Sequence, residues 1–285
     1  IMALVKVNDL LKHATEHHYG VAAVNVINVE TVRYIIEAAE SERVPIIVQF
    51  FPGFDKYIDP AYIAFAAVDM AKKASVPVAV HLDHSAGYEI AMGGIKAGFP
   101  SVMVDGSALP FEENVELTSA IVRAANVFNV DVEAELGHVG SGANEDDIIN
   151  SDYYTNVDQA VEFVKRTGCG SLAIAVGNAH GPYIKTPNLD FDRIKEIRRK
   201  VDIPLVLHGC SDIPKDQIQE AVNLGMSKFN IATEYFRAMY RAAEKSIASG
   251  TYKDSGVGLL FNLREPMIDF VIDKIRLLNP NKYSL

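Results

Sequence analysis

The sequence predicts an α/β fold, a single-domain (β/α)8 TIM barrel spanning residues 1–285 with a C-terminal helical extension. Three observations carry that prediction. Eight short runs rich in β-branched residues recur along the chain, and segments with helical spacing lie between them. No Gly-rich phosphate loop follows the first run, as a doubly wound dinucleotide-binding sheet would require.

The runs are Val21–Val26, Pro45–Phe50, Pro77–Leu82, Ser101–Val104, Val130–Leu136, Ser171–Val176, Pro204–Leu207 and Lys228–Ile231. Their interiors are nearly all apolar, as expected of parallel strands covered on both faces. After the first run, Val32, Ile35, Ile36 and Ala39 repeat at i, i+3, i+4 and i+7, and the pattern ends shortly before Pro45. Ile194, Ile197 and Val201 recur likewise before Pro204, as do Ile218, Ala221 and Val222 before Gly225. Successive runs start 24 to 41 residues apart, room for one helix each. The connection after Leu136 is unusually long and rich in Gly, Asn and Asp. Residues 137–157 read either as a mobile active-site loop or as a solvated surface loop. Residues 234–285 read as C-terminal amphipathic helices.

Composition narrows the function classes. The 285 residues are 49% apolar, with 37 Asp and Glu against 27 Lys and Arg, a formal net charge of −10. That balance argues against nucleic acid as a partner. No apolar run approaches the roughly 18 residues of a membrane span, so no membrane partner is expected. No charged-then-apolar leader is visible, and Met2 reads as the natural start with Ile1 as an addition. Two cysteines, Cys169 and Cys210, fit a reducing, cytoplasmic setting.

Active sites of such barrels sit at the C-terminal ends of the strands. Of eight histidines, four fall there: His81 and His84, His180, and His208. His84, His180 and His208 follow three different strands, and three imidazoles with an open position suit a catalytic zinc. Asp83, beside His84, could orient a ligand or shuttle a proton. Asp105 and Glu135 read as a second cation site or as polar lining of the barrel mouth. Gly181, Gly209-Cys210-Ser211 and Asn230–Thr233 follow strands 6, 7 and 8, where backbone N–H groups often hold a phosphate.

With these motifs in order, the chain resembles the class II, zinc-dependent ketose-bisphosphate (fructose/tagatose-bisphosphate) aldolases over almost its whole length. The matching segments are Val80–His84, Val132–Gly137, Gly177–Tyr183, Leu207–Gly209 and Lys228–Thr233. The resemblance implies zinc on His84, His180 and His208, and a monovalent cation as a further cofactor. It implies that Asp83 moves a proton at the aldehyde-derived hydroxyl, and that Asp105 and Glu135 mark a second or displaced metal position. It places dihydroxyacetone phosphate on Gly181, on Gly209, Cys210 and Ser211, and on Asn230, Ile231, Ala232 and Thr233. It gives the loop after strand 5 an acidic base, with Glu145 first and Asp146 as the fallback. It also implies a homodimer or homotetramer in carbohydrate metabolism or glycolysis, with Arg264 near a distal phosphate, often a neighbour's.

The chemistry fits independently of the resemblance. A Lewis acid can stabilise the enediolate left by aldol cleavage, and no lysine ends a predicted strand to form an imine, since Lys228 begins strand 8. Some positions depart from the family pattern. Phe51 puts a bulky group near the substrate mouth, Ile184 precedes Lys185, and Ala232 replaces an aspartate. Asp212 adds negative charge where a phosphate should sit. Residues 131–158 hold eight acidic residues and no Lys or Arg, so the rim suits a cation first. Phosphate then falls to backbone amides, zinc and basic groups such as Lys185 or Arg264. The expected function is a zinc-dependent aldolase acting on a tagatose- or fructose-bisphosphate-like ketose through a metal-stabilised enediolate. A metal-dependent sugar-phosphate isomerase or epimerase, and a non-catalytic sugar-phosphate-binding barrel, are the alternatives.

Overall fold

In a computed structural model describing residues 3–251 and 255–285, eight parallel strands close on themselves in sequence order. Ile1 and Met2, and with them the expected chain start, lie outside the described residues. The strands are β1 (Val21–Asn25), β2 (Ile46–Phe50), β3 (Val78–Ser85), β4 (Ser101–Val104), β5 (Asp131–Leu136), β6 (Ser171–Ile174), β7 (Leu205–Leu207) and β8 (Met226–Ile231). Before β1 lies α1 (Val7–His17). The helices between strands are α2 (Val29–Glu42), α3 (Pro60–Lys73), α4 (Tyr88–Ala97), α5 (Phe111–Val127), α6 (Glu145–Ile149), α7 (Val157–Thr167), α8 (Phe191–Lys200) and α9 (Lys215–Asn223). After β8 come α10 (Thr233–Ser249) and α11 (Gly256–Leu278), which pack on each other. This is the expected (β/α)8 TIM barrel.

Alternation along the strands separates two environments. Val24, Val48, Val80, Val102, Val132, Leu172, Leu207 and Phe229 point outward into one apolar shell shared with the helices. Inward, Val21, Ala23, Ile47 and Ala79 meet Val7, Leu10, Leu11 and Ala14 of α1, which stoppers the N-terminal end of the barrel. Leu10 and Leu11 are fully buried, each stabilising the closure by ~1.5–3 kcal/mol. Above that plug the interior turns polar. Gln49, His81, Ser101, Glu133, Ser171 and Lys228 are buried, followed toward the strand ends by Asn25, Asp83, Glu135, His208 and Asn230. The runs look nearly continuously apolar in sequence because the outward half is apolar throughout, mostly Val, Leu and Ile. The strand boundaries differ in one instructive place. Strand 8 starts at Met226, so Lys228 is its third residue and lies inside the barrel.

The long connection is not structureless. It carries α6 and a 3-10 turn at Ser151–Tyr153, and Thr155 staples its end to the barrel. The Thr155 N–H donates to the Ala175 carbonyl at 2.9 Å, and its hydroxyl accepts from the Ala175 N–H at 2.8 Å while donating to the Leu136 carbonyl. Thr155→Val keeps the shape and leaves buried backbone groups unpaired. A loss of about 1–3 kcal/mol is expected, read from the midpoint of denaturant unfolding. No change in the midpoint would remove the staple from the account.

Candidate functional site

Asp83 and His84 are sequence neighbours, and in a regular strand they would face opposite ways. The β3–β4 register shifts between Leu82 and Ser85, and His84 takes φ 39° at that irregularity. The kink turns both side chains into the same cavity. His180 follows β6, and His208 directly follows β7. The three rings converge, with centroids 4.7 Å apart for His84 and His180, 4.6 Å for His84 and His208, and 5.7 Å for His180 and His208.

Each ring has one nitrogen tied to an acceptor. His84 Nδ1 donates to Asp105 Oδ2 at 2.9 Å, His180 Nδ1 to the Val139 carbonyl at 3.1 Å, and His208 Nε2 to Glu133 Oε1 at 2.9 Å. These acceptors set the tautomers, the Glu133 contact at 2.9 Å being closer than Glu135 Oε2, which stands 3.4 Å from His208 Nδ1, so lone pairs are left on His84 Nε2, His180 Nε2 and His208 Nδ1. His180 Nε2 is buried without a hydrogen-bond partner. His84 Nε2 and His208 Nδ1 stand 3.0 Å apart, and two lone pairs at that distance need a positive charge, a proton or a metal ion. Burial opposes charge on His84, yet the carboxylates of Asp83, Asp105 and Glu135 outweigh it and lift His84 to about 9. Burial, with the His84 charge beside them, pushes His180 down to about 4 and His208 well below the ordinary range. The three nitrogens lie within 4.8 Å of one another, and this donor set fits zinc with a position left open.

Asp83 is held from three sides. Its Oδ2 accepts from Asn25 Nδ2 at 2.9 Å and Gln49 Nε2 at 3.3 Å, and its Oδ1 from Asn230 Nδ2 at 3.1 Å. Burial resists its charge, but His84, Lys228 and His208 hold the carboxyl below the usual range. Asp105 orients His84 and also gathers with His84 and Glu135 into a second group within 4.8 Å. Burial and the Asp105 charge push Glu135 well up, and both of its oxygens lack hydrogen-bond partners. That environment favours either a proton or a nearby cation.

A cavity of about 420 Å³ opens over these groups. Gly181, Gly209, Ser211, Asn230, Ala232 and Thr233 line one side, and Phe51, Phe54, Ala86 and Val139 the other. Gly209 takes φ 60°, and a Cβ there would sit 2.0 Å from the Ala179 carbonyl oxygen, so the turn beside His208 admits only glycine. Ala232, at the N-cap of α10, offers no capping side chain; the Glu234 N–H donates to Ser211 Oγ at 3.2 Å, so the anion-facing end of the helix is shared between backbone and the Ser211 hydroxyl.

Several expected contributors stay outside. The Cys210 thiol turns to the Leu207 carbonyl and its N–H is taken by Asn230, while Ile231 packs in the outer shell. Arg264 lies on α11, paired with Glu37 and Glu265. Glu145 is exposed and paired with Lys185 at 3.0 Å, away from the cavity lining. The charge of Asp212 does not stand free near the phosphate side. Arg237 grips both its oxygens at 2.9 Å, and its N–H donates to Glu234. The sequence reading missed Asn25, Gln49 and Glu133 as site groups. The available signal was a polar side chain at an inward position of an otherwise apolar strand.

A profile of the class-II fructose-bisphosphate aldolase family matches residues 5–282. The chain is 42% identical over 233 residues to the uncharacterized protein YdjI of Escherichia coli strain K12, covering 82% of this chain and 84% of that one. The crystal structure of the YdjI aldolase from the same organism matches at TM-score 0.87 and 37% identity over 97% of each chain. The fructose-bisphosphate aldolase of Campylobacter jejuni shares the fold, with TM-score 0.84 and 23% identity over 98% of this chain and 97% of that one.

Proposed function

Because the chain belongs to the class II fructose-bisphosphate aldolase family, we propose that this aldolase is zinc-dependent and cleaves or forms a ketose phosphate with dihydroxyacetone phosphate as the three-carbon partner. The observation that carries the reading is the convergence of His84 Nε2, His180 Nε2 and His208 Nδ1 beside the caged carboxylate of Asp83.

His84, His180 and His208 would hold the zinc. When bound, it supplies a Lewis acid for the negative charge that develops on the three-carbon fragment, with none of the ion's charge neutralised by three neutral imidazoles. The substrate phosphate is received by the backbone at Gly181, Gly209 and Ser211 and by the N-terminal end of α10, where Ser211 Oγ already meets the Glu234 N–H. That grip sets the carbon chain across the cavity toward Asp83. In cleavage the Asp83 carboxylate takes the proton of the hydroxyl on the carbon that becomes the aldehyde, and in condensation it returns it. Asn25, Gln49 and Asn230 keep the carboxylate aimed while the proton moves. Phe51, Phe54 and Val139 keep water from the bond being broken. Glu145 is the base at the three-carbon fragment and reaches it only by leaving Lys185. Breaking an exposed pair of this kind costs at most ~1 kcal/mol, so substrate binding can drive the movement.

The family supports a tagatose- or fructose-bisphosphate-like substrate, and the departures Phe51 and Ala232, both lining the cavity, put specificity at the aldehyde end. Arg264, on the outer surface of α11, supports service to a neighbouring subunit in a homodimer or homotetramer. Two unpaired buried cysteines support a cytoplasmic setting. No helix among the described residues is long and apolar enough to cross a membrane.

Three experiments test the reading. Coupled assays for triose phosphate with fructose, tagatose and deoxy-sugar bisphosphates should show release with at least one. A chain that binds metal and sugar phosphate but releases no triose phosphate is an isomerase or a binding protein instead. His208→Ala should lose most of its zinc by atomic absorption, and full occupancy in that variant would refute the ligand assignment. Glu145→Ala should slow proton exchange on dihydroxyacetone phosphate by ~10²–10⁴ with little change in its affinity. Unchanged exchange moves the base to Asp146 or elsewhere.

A further inference from the structure

A fully buried lysine lies behind the histidine cup, outside the cavity lining. Lys228, in the barrel interior, sets its Nζ 2.9 Å from Glu133 Oε2 in a fully buried ion pair whose angles are not those of a hydrogen bond, so the hold on that oxygen is electrostatic. The other oxygen of Glu133 accepts from His208 Nε2 at 2.9 Å. His208 Nδ1, across the ring, is the nitrogen that faces His84 Nε2 at 3.0 Å. A continuous line therefore runs from the β8 ammonium through the β5 carboxylate to the inner nitrogen of the β7 histidine.

We propose that Lys228 is a positioning residue for the metal. By holding Glu133 Oε2 it leaves Oε1 as the acceptor for His208 Nε2–H, which fixes the ring orientation and tautomer that present Nδ1 to the cup. The inference rests on the zinc reading given above.

The geometry also identifies what would go wrong without it. His81 Nε2 lies 3.7 Å from the same Glu133 Oε2 and is buried without a hydrogen-bond partner. With Lys228 gone, Glu133 is free to turn toward His81 Nε2, which is a donor when Nδ1 accepts from the Ser101 hydroxyl, and its other oxygen then swings off His208. His81 is itself pinned on its far side by Ser101 Oγ at 2.8 Å, so the carboxylate moves and the ring does not. A lysine that merely balanced the charge of Glu133 would have no such effect on His208. Groups that orient a metal-ligating histidine from behind change metal affinity about 10- to 100-fold when lost.

The test uses the full chain, Zn2+ competed against a chromophoric chelator, and the absorption spectrum of bound Co2+. Lys228→Met should bind Zn2+ 10- to 100-fold more weakly and shift the Co2+ bands. The double variant Lys228→Met/Glu133→Gln removes both buried charges, and its unfolding midpoint should return toward that of the parent chain. Its Zn2+ affinity should stay at least tenfold weak, because an amide does not dictate which His208 nitrogen carries the proton. Zn2+ affinity within about twofold of the parent in either folded variant overturns the proposal. If neither variant folds, 15N NMR of His208 in the metal-free parent chain decides: the Nε2–H tautomer supports the proposal and the Nδ1–H tautomer overturns it. These readouts do not depend on turnover. A parent chain that binds Zn2+ but releases no triose phosphate overturns the aldolase reading alone.

Discussion

The site depends on a division of labour within each imidazole ring. An outer nitrogen is committed to an acceptor that can only accept, so the inner nitrogen has no proton and must look for positive charge. Asp105, the Val139 carbonyl and Glu133 do this for His84, His180 and His208. Three such nitrogens pushed together in a buried pocket repel one another until a cation is shared. The elevated basicity of His84 and the capacity for metal express the same demand, since the proton and the metal compete for one place.

Everything else in the upper barrel serves that demand. The interior is polar because it must supply fixed acceptors at depth, and most of its buried carboxylates are met by donors or a cation, Glu135 being the one left without a hydrogen-bond partner among the described residues. Asp83 has three amides and Glu133 has Lys228 and His208. The apolar plug of α1 lies beneath this layer and closes the barrel without taking part in it. The irregularity at His84 lets one strand deliver an adjacent carboxylate and ligand to one cavity, which a straight strand cannot do.

Much of this was legible in the sequence, for physical reasons. The outward halves of the strands are apolar everywhere, so eight runs and their spacing announce the barrel. His84, His180 and His208 stand where those runs end, so residue type and position together suggest a cup. What stayed hidden depends on direction. Cys210 and Ile231 occupy the right segments and turn away, because neighbours on an extended chain face opposite sides. Lys228 read as the start of a strand because its two preceding residues, Met226 and Ser227, show no β-branched signature. Asp212 read as an uncompensated charge because Arg237, its partner, is 25 residues away on a helix. The cage around Asp83 joins Asn25, Gln49 and Asn230 from three strands, a coincidence that periodicity alone does not encode.

One contact near the rim has a wider consequence. Residues 140–142 pair with His180 through the Gly142 N–H on its carbonyl and the His180 N–H on Gly140, both at 2.7 Å, while Val139 just before them holds the ring nitrogen. The polypeptide that leads into α6 is thus fastened to His180 by both backbone and side chain. Displacing that span and loosening His180 are one event, described from two ends. By reciprocity, whatever steadies the imidazole also steadies the span, and a guest that draws the span inward holds the three-histidine cup beneath it more firmly. Occupancy at the floor and closure at the rim are two variables of a single equilibrium.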